Sequence, residues 1–318
     1  CLRSGLTQVK LCSFADMVAA ARRLAVLQQH VVPPQEIKCD SLSTVMTRAE
    51  KAEAGVALIV GAGSGLSTSC AKLFSKEGFQ VAVAARGAGK PELQELAKSF
   101  NVRAYECDAA QPASVEKLFS AVTRDLGGFP NLVVYNASAR VGGPIVGLDA
   151  EKVKQALLVS TFGGFNVAQH AARGMVARGS GSLLFTGASA SYKGYANSSS
   201  FAMGKFGLHG LAQSLARELG PLGIHVAHFP VDGGIGKVDA NGEKTSHWAR
   251  YGATTTDESK AADAQPVQQR LGTNGDVIDE QDTMLHPDAI AETYLYAHRQ
   301  HRSAWTFEFQ LRPWGEKW

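Results

Sequence analysis

Cysteine is scarce in this sequence, and its spacing excludes two kinds of site. The five cysteines are Cys1, Cys12, Cys39, Cys70 and Cys107. Their number is odd and no two form a C-x-x-C pair, so neither a disulfide framework nor a zinc site is indicated. Cys70 and Cys107 lie inside apolar segments. The pattern predicts reduced thiols in a reducing compartment, and we expect a cytoplasmic protein.

Long hydrophobic runs and dense basic blocks are also missing. No apolar run reaches the roughly 18 residues that a membrane-spanning helix needs. The net charge is only +3, and no cluster of lysine and arginine with interleaved aromatic residues occurs. We therefore expect neither a membrane nor a nucleic acid as a partner of this protein.

The sequence lacks an initial methionine and a secretory signal. It begins at Cys1, and its early apolar stretch, MVAAARRLAVL, is interrupted by Arg22 and Arg23. A secretory signal peptide has an unbroken apolar region instead. Two interpretations stay open, namely a transit-peptide remnant for organellar import and a non-native leader upstream of Met46. We treat residues 1–45 as a leader or non-native extension and 46–318 as one folded domain.

From Val56 onward, short apolar runs alternate with helical patterns. The run VALIV at 56–60 is apolar throughout, as in a strand that is buried on both faces. Strands that alternate with helices pair in parallel through right-handed crossovers. We predict an α/β fold, a doubly wound parallel sheet of about seven strands in a single domain. The predicted strands lie at 56–60, 79–85, 102–106, 131–138, 182–189, 224–230 and 304–311.

A polar segment at about 236–283 interrupts this alternation. It has only weak periodicity, and its length exceeds that of an ordinary connection between a strand and a helix. We predict an insertion in the domain. Whether it is a solvated loop or a substrate lid is open at this point.

The first predicted strand runs into a glycine-rich turn, GAGSGLS. Gly61, Gly63 and Gly65 stand where the chain must turn into a helix, with Ser64 and Leu66 beside them. Backbone without side chains can approach a pyrophosphate, and a helix N-terminus presents unpaired N–H groups. The turn is therefore a candidate dinucleotide-binding site. The alternative is a tight turn that binds nothing.

Arg86 directly follows the second predicted strand. The adenosine ribose of a bound dinucleotide would lie at this strand end. An acidic side chain there would accept a hydrogen bond from a 2′-hydroxyl, whereas a guanidinium group pairs with a 2′-phosphate. Arg86 therefore indicates NADP(H) in preference to NAD(H), and the alternative is a solvated loop arginine.

Five segments resemble, in order and spacing, the motifs of the short-chain dehydrogenase/reductase family. The resemblance covers about 56–235 and resumes at 286–312. The glycine turn is similar to T-G-x-x-x-G-x-G, with Ser67 for the last glycine. The other matching segments are Asp108-Ala109, Tyr135-Asn136-Ala137-Ser138 (similar to N-N-A-G), Phe201-x-x-x-Lys205 (similar to Y-x-x-x-K) and Pro230 with the glycine-rich turn that follows it.

The resemblance implies a Rossmann-type fold with NAD(P) lying across the carboxyl ends of the strands. It also implies that the matching residues contact the cofactor. These are the glycine turn and Asp108, Ala109, Asn136, Ala137, Lys205 and Pro230. Members of the family also form homodimers or homotetramers, frequently through the helix that carries Lys205, and we expect a homo-oligomer here.

The catalytic set of the family is largely replaced in this sequence. The tyrosine position holds Phe201, the serine position Ala188 and the asparagine position Ser160, so that only Lys205 is kept. In the family the tyrosine gives a proton to the substrate, and phenylalanine has none to give. General acid catalysis contributes about 10²–10⁴ in rate, which is less than a whole enzymatic acceleration.

Three hydroxyl groups near the lost positions are candidate substitutes for the tyrosine. Tyr192 and Tyr195 lie between a predicted strand end and the helix, and Ser189 follows the lost serine position. We predict Lys205, Tyr192, Tyr195 and Ser189 as catalytic candidates, and the alternative for the tyrosines is a surface or interface role. His209, His225 and His228 show no metal-ligand spacing with a third donor, so we predict packing or surface roles and no metal site.

Two functions are compatible with this sequence. The first is an NADP(H)-dependent oxidoreductase that acts on a small carbonyl compound or a conjugated enone by a route that does not use Phe201. The second is a non-catalytic NADP(H)-binding protein, a sensor or structural partner, and it is favoured by the joint loss of the tyrosine, serine and asparagine.

Overall fold

The computed structural model describes residues 55–89, 91–236 and 284–314. The predicted leader at 1–45 lies outside the described residues, as does nearly all of the polar insertion at 236–283. Both interpretations stay predictions.

The first half of the domain alternates strands and helices. It contains β1 (Val56–Val60), α1 (Leu66–Lys76), β2 (Gln80–Ala85), α2 (Pro91–Ser99), β3 (Val102–Glu106) and α3 (Pro112–Asp125). All five residues of β1 are buried, as the apolar run predicts. Pro91 and Pro112 each occupy the first position of their helix, where a missing N–H is harmless.

The second half continues the alternation with longer helices. It contains β4 (Leu132–Tyr135), α4 (Ala150–Leu157), a π-helical segment (Leu158–Phe162), α5 (Gly163–Arg178), β5 (Gly181–Thr186), α6 (Ser199–Leu219), β6 (Ile224–Phe229), β7 (Gly234–Ile235), β8 (Met284–Leu285) and α7 (Pro287–Arg299). Short 3₁₀ turns lie at Ile145–Gly147, Ser189–Ser191, Gly220–Leu222 and Arg302–Ala304. The two short strands β7 and β8 pair with each other outside the main sheet.

The main sheet has six parallel strands in the order β3-β2-β1-β4-β5-β6. This is the doubly wound order, and it confirms the predicted fold class. The prediction of a seventh strand at 304–311 is wrong. This segment makes only two isolated parallel bridges, one from His228 to Glu308 and one from Val231 to Leu311. Pro230 lies between the two bridges and has no N–H to donate, so a continuous ladder cannot form.

The core consists of two layers, one on each face of the sheet. Alternate strand residues such as Leu58, Tyr135 and Phe185 pack under α3, α5 and α6. The intervening residues, such as Ile59 and Leu184, pack under α1, α2 and α7. Because all six strands are parallel, their carboxyl ends meet at one edge of the sheet. The loops that follow β1, β2, β3, β4 and β5 therefore converge there.

Candidate functional site

The turn after β1 requires a glycine at its first position. Gly61 has a φ of +97°, and a Cβ atom built there would lie 2.2 Å from the amide nitrogen of Ala137. The Ser67 hydroxyl donates to the carbonyl of Gly61 at 2.9 Å. The side-chain amide of Asn136 donates to the same carbonyl at 3.2 Å and to the Ser67 hydroxyl at 2.8 Å. Ser67, which replaces a glycine of the family pattern, thus ties the turn to the loop after β4.

The next two glycines of the turn have a different role. A Cβ atom built on Gly63 or Gly65 would meet no heavy atom within 4 Å. Gly65 caps the N-terminus of α1 and supplies no side-chain acceptor to its first N–H groups. Bare backbone and unpaired N–H groups at a helix N-terminus form a cradle that fits a pyrophosphate.

Six of the predicted cofactor residues line one cleft of about 500 Å³ at the carboxyl edge of the sheet. They are Gly61, Arg86, Asp108, Ala109, Asn136 and Ala137. Asp108 accepts the backbone N–H of Ala110 at 3.0 Å, which shapes the loop after β3. Gly63, Ser64 and Gly65 belong to the adjoining turn, and Leu66 is the first residue of α1. The buried Pro230 does not line this cleft, and its carbonyl instead accepts the N–H of Leu311 at 3.0 Å.

Lys205 is buried beside the end of β5. Its ammonium group donates to the carbonyl of Thr186 at 2.8 Å. Burial lowers the pKa of Lys205 to about 8. Among the described residues no carboxylate forms an ion pair with it. The ammonium lies 5.8 Å from the centre of the Phe201 ring, so both side chains face the same way, as the helical spacing predicts.

Ser160 stands in the asparagine position, within the π-helical segment. Segments of this kind occur frequently at functional sites. The hydroxyl of Tyr135 donates to the carbonyl of Val159 in the same segment. The Ser160 hydroxyl accepts the N–H of Ala139 at 3.0 Å and contacts the Ala139 carbonyl at 3.2 Å. Ser160 therefore holds the loop after β4 in place.

The three predicted substitute hydroxyls have different surroundings. The Tyr192 hydroxyl donates to Oε1 of Glu308 at 2.5 Å. Tyr195 is exposed, and the Lys193 ammonium lies 5.4 Å above its ring. Ser189 is half-buried in the turn after β5, next to Ala188. Their catalytic roles stay predictions.

Residues that are distant in sequence form a polar cluster beside Lys205. The carboxylate oxygen Oε1 of Glu308 lies 2.7 Å from Nε2 of His209 and 3.2 Å from Nδ1 of His228. The spacing of His209 and His228 in the sequence gives no third donor, but the structure brings Glu308 to them, and the three ligand atoms lie within 4.8 Å of one another. Sequence spacing could not show this, since Glu308 reaches the cluster only through its bridge to His228.

The geometry of this cluster favours a hydrogen-bonded network over a metal site. The imidazole rings of His209 and His228 are stacked, with centres 4.5 Å apart and planes 12° from parallel. A ring nitrogen binds a metal in the plane of its ring, so one ion could not lie in both planes unless a ring rotated. The Glu308 carboxylate instead accepts a hydrogen bond from Tyr192 and lies in polar contact with both rings.

Burial and charge set the protonation of the cluster. Burial, with a contribution from the neighbouring His209, lowers the pKa of His228 to about 4. Burial alone would raise the pKa of Glu308, but hydrogen bonds from Tyr192 and His228 outweigh it and hold this pKa below its usual value. His228 is therefore neutral and Glu308 ionised near neutral pH.

Comparisons with known proteins agree with this architecture. The family model for short chain dehydrogenase matches residues 55–246. The 3-oxoacyl-(acyl-carrier-protein) reductase MabA of Mycobacterium tuberculosis (strain H37Rv) is 30% identical over 162 residues, which are 51% of this chain and 62% of MabA. The chain thus spans less than two thirds of that relative's length. The short-chain dehydrogenase/reductase eriH of Hericium erinaceus is 33% identical over 178 residues, 54% of this chain and 70% of eriH.

Solved structures show the same fold. A short-chain dehydrogenase from Rhodopseudomonas palustris has a TM-score of 0.60 and 28% identity, and the match covers 82% of this chain and all of that one. A single-substitution variant of the actinorhodin polyketide ketoreductase, solved with NADPH, has a TM-score of 0.63 at 22% identity, with 81% of this chain and 96% of that chain covered.

Proposed function

This chain belongs to the short chain dehydrogenase family, and we propose that it is an NADP(H)-dependent oxidoreductase that acts on a small carbonyl compound or a conjugated enone. One observation carries the proposal. The glycine turn, the Asn136 amide and the Lys205 ammonium are arranged around the carboxyl edge of one parallel sheet. Ligands of doubly wound sheets bind at this edge.

Each part of the edge would hold a different part of the cofactor. The turn at Gly63 and Gly65 fits the pyrophosphate, and Asp108 with Ala109 lies where the adenine would rest. Arg86, at the rim of the cleft, would pair with a 2′-phosphate. The Lys205 ammonium has three N–H donors and uses one of them for the carbonyl of Thr186. The other two would donate to the hydroxyls of the nicotinamide ribose. The bound nicotinamide would supply or accept the hydride.

A residue of this chain must supply the proton that the substrate takes up in the reduction. Phe201 cannot donate one, and the Lys205 ammonium predominates at pH 7 because its pKa is about 8. The predicted donors Tyr192, Tyr195 and Ser189 lie in one loop, between β5 and α6. A conjugated enone requires less acid at the point of hydride attack than an isolated ketone, because the conjugated carbonyl takes up the charge.

A non-catalytic NADP(H)-binding protein is the second candidate function. It is favoured because the hydroxyl groups near Lys205 already have hydrogen-bond partners within the protein. The Ser160 hydroxyl is occupied by the backbone of Ala139, and the Tyr192 hydroxyl is occupied by Glu308. Ala188 and Phe201 offer no polar group at all. Such a protein would bind NADPH without turnover.

We also propose that the protein forms a homodimer or homotetramer. A groove of about 660 Å³ along α4, the π-helical segment, α5 and α6 supports this proposal. It is lined by Leu157, Leu158, Phe162, Phe165, Met203 and Leu211. Among the described residues no helix has the length and hydropathy of a membrane span. The cytoplasmic location remains a prediction.

A titration with NADPH and NADH, followed by cofactor fluorescence, tests the cofactor assignment. We expect micromolar binding of NADPH and at least tenfold weaker binding of NADH, because Arg86 would pair only with the 2′-phosphate. Arg86→Ala should bring the two affinities within about threefold by weakening NADPH binding. The control is Arg173→Ala, an exposed arginine on α5, which should leave the ratio unchanged.

Some results of this titration would reject the proposed function. Equal affinities in the unmodified protein would reject the preference for NADP(H). Binding of neither cofactor would reject both candidate functions together. If NADPH binds, its oxidation is followed with a panel of small ketones and enones. Turnover that is lost in Tyr192→Phe, Tyr195→Phe or Ser189→Ala would identify the proton donor, whereas binding without any turnover would leave the second candidate.

A further inference from the structure

Arg140 lies where two of the replaced catalytic positions meet. The loop after β4 is fixed on both sides of it by serine hydroxyls. Ser160 contacts the N–H and carbonyl of Ala139, at 3.0 and 3.2 Å. Ser200 accepts the N–H of Val141 at 2.9 Å and donates to its carbonyl at 2.7 Å. The backbone of Arg140 is therefore held in one position, at the start of α6.

The side chain of Arg140 lies over the ring that replaces the tyrosine. Its guanidinium carbon is 5.6 Å from the centre of the Phe201 ring, within the range of a cation–π contact. One guanidinium nitrogen is 3.5 Å from the Ser198 hydroxyl, a weak contact at the limit of hydrogen bonding. Arg140 itself is exposed, so its remaining donors are accessible from solvent.

Two positive charges thus share one aromatic ring, and neither forms a direct ion pair with a carboxylate among the described residues. The Lys205 ammonium lies 5.8 Å from the centre of the same ring. In the part of the chain that the structure describes, neither Arg140 nor Lys205 forms an ion pair with an acidic side chain. The nearby substituted positions hold Ala188 and Ser160, which are uncharged. Such a site favours a negatively charged ligand.

We propose that Arg140 binds a carboxylate group of the substrate, so that the substrate class is small oxo acids or carboxylate-bearing enones. The planar fork of a guanidinium group matches the two oxygens of a carboxylate, and its contact with Phe201 leaves the edge of the fork available. Phe201 then serves as the platform for Arg140. This inference rests on the proposed oxidoreductase function, and it deepens that function by naming a substrate class.

Binding of benzoate and benzamide to the full chain tests the inference, because the two molecules have the same shape and differ in charge. Calorimetric titrations are made with and without saturating NADPH. We expect benzoate to bind at least tenfold more tightly than benzamide, since a charge-assisted pair with Arg140 forms only with the carboxylate. Arg140→Gln should remove this tenfold preference and change benzamide binding by less than about twofold.

Two further variants sharpen the result. Arg173→Gln removes an exposed arginine from α5 and should keep the preference for benzoate. Arg140→Lys keeps the charge but not the planar fork, and it should bind benzoate with intermediate affinity.

The outcomes that overturn the inference are separate from those that reject the oxidoreductase function. Equal binding of benzoate and benzamide, or a preference for benzoate that survives in Arg140→Gln, would each overturn it. Because the titrations are also made without NADPH, they decide the role of Arg140 even if the cofactor fails to bind. A failure of NADPH to bind would reject the proposed function alone.

Discussion

Phe201 lies between two positively charged groups that would lower the pKa of a phenol at this position. Arg140 and Lys205 both place a positive charge within 6 Å of the centre of its ring. Neighbouring positive charges favour the ionised form of a tyrosine and so lower its pKa. The half-buried ring lies in the first turn of α6, one turn before Lys205. The site therefore retains the electrostatic surroundings of an acid although it has lost the acid.

Phe201→Tyr should raise the rate of NADPH-dependent reduction by about 10²-fold, because a positioned general acid contributes about 10²–10⁴. The affinity for NADPH should stay within about twofold, since the change adds one oxygen and removes nothing. The measurement is the initial rate of NADPH oxidation with a small ketone, alongside the cofactor titration.

Phe206→Tyr is the matched control for this prediction, because Phe206 is an exposed phenylalanine of the same helix. It should leave the rate unchanged. An unchanged rate in Phe201→Tyr itself, with NADPH binding intact, would show that the missing hydroxyl is not what limits the reaction.

Two glycines in the turn between β1 and α1 have different roles, one in the stability of the turn and the other in ligand binding. Gly61 has both a positive φ and no room for a Cβ atom, which would lie 2.2 Å from the Ala137 nitrogen. Gly63 has neither constraint, because a Cβ atom there meets nothing within 4 Å. The first glycine is needed by the fold of the turn, and the second leaves the cradle open.

Gly61→Ala should lower the free energy of unfolding by about 2 kcal/mol or more, because the backbone strain and the steric overlap with Ala137 add together. Gly63→Ala should leave it unchanged within about 0.5 kcal/mol and weaken NADPH binding by about tenfold or more. Denaturant unfolding and the cofactor titration measure the two effects. Equal losses of stability in both variants would contradict this division of roles.

Buried and half-buried histidines attach the last described segment to the rest of the molecule. His225 contacts the carbonyls of Ala297 and Thr306 at 3.0 Å each, and Nδ1 of His298 lies 2.8 Å from the Ser182 hydroxyl. Burial lowers the pKa of His298 to about 4, with a contribution from Arg299. His228 makes a third contact with this segment, through the Glu308 carboxylate, and its pKa is also about 4.

These lowered pKa values predict acid sensitivity of the whole molecule. A histidine with a folded-state pKa of about 4 and an ordinary pKa near 6.5 takes up its proton first in the unfolded chain. Stability is therefore fully present above pH 6.5 and is lost as the pH falls toward 4. We expect each of the two histidines to lower the free energy of unfolding by roughly 3 kcal/mol between pH 7 and pH 4.

Chemical denaturation at a series of pH values measures this loss. His298→Gln keeps a hydrogen-bonding side chain but cannot titrate, so it should reduce the decrease. His301→Gln, at an exposed histidine, serves as the control and should not alter it. A decrease that is the same in all three proteins would rule out His298 as a contributor.

The sequence alone was sufficient for the fold class and the positions of six strands, and it brought together six residues that line one cleft. Six predicted strands form the sheet, and Gly61, Arg86, Asp108, Ala109, Asn136 and Ala137 line one cleft. The fold and strand predictions are confirmed because they rest on local chemistry, while the cofactor roles of these six residues stay predictions. An apolar run forms a buried strand, and a parallel sheet brings every strand's carboxyl end to one edge.

Only the tertiary structure decided which distant side chains meet. It showed that Glu308 joins His209 and His228, and that Arg140 lies over Phe201. It also showed that Pro230 interrupts the expected seventh strand. Local periodicity has no information on such contacts, because each depends on how separate elements pack. The sequence therefore determined the frame of the site and the loss of the family's acid, while packing determined the charges and hydrogen bonds that surround the lost position.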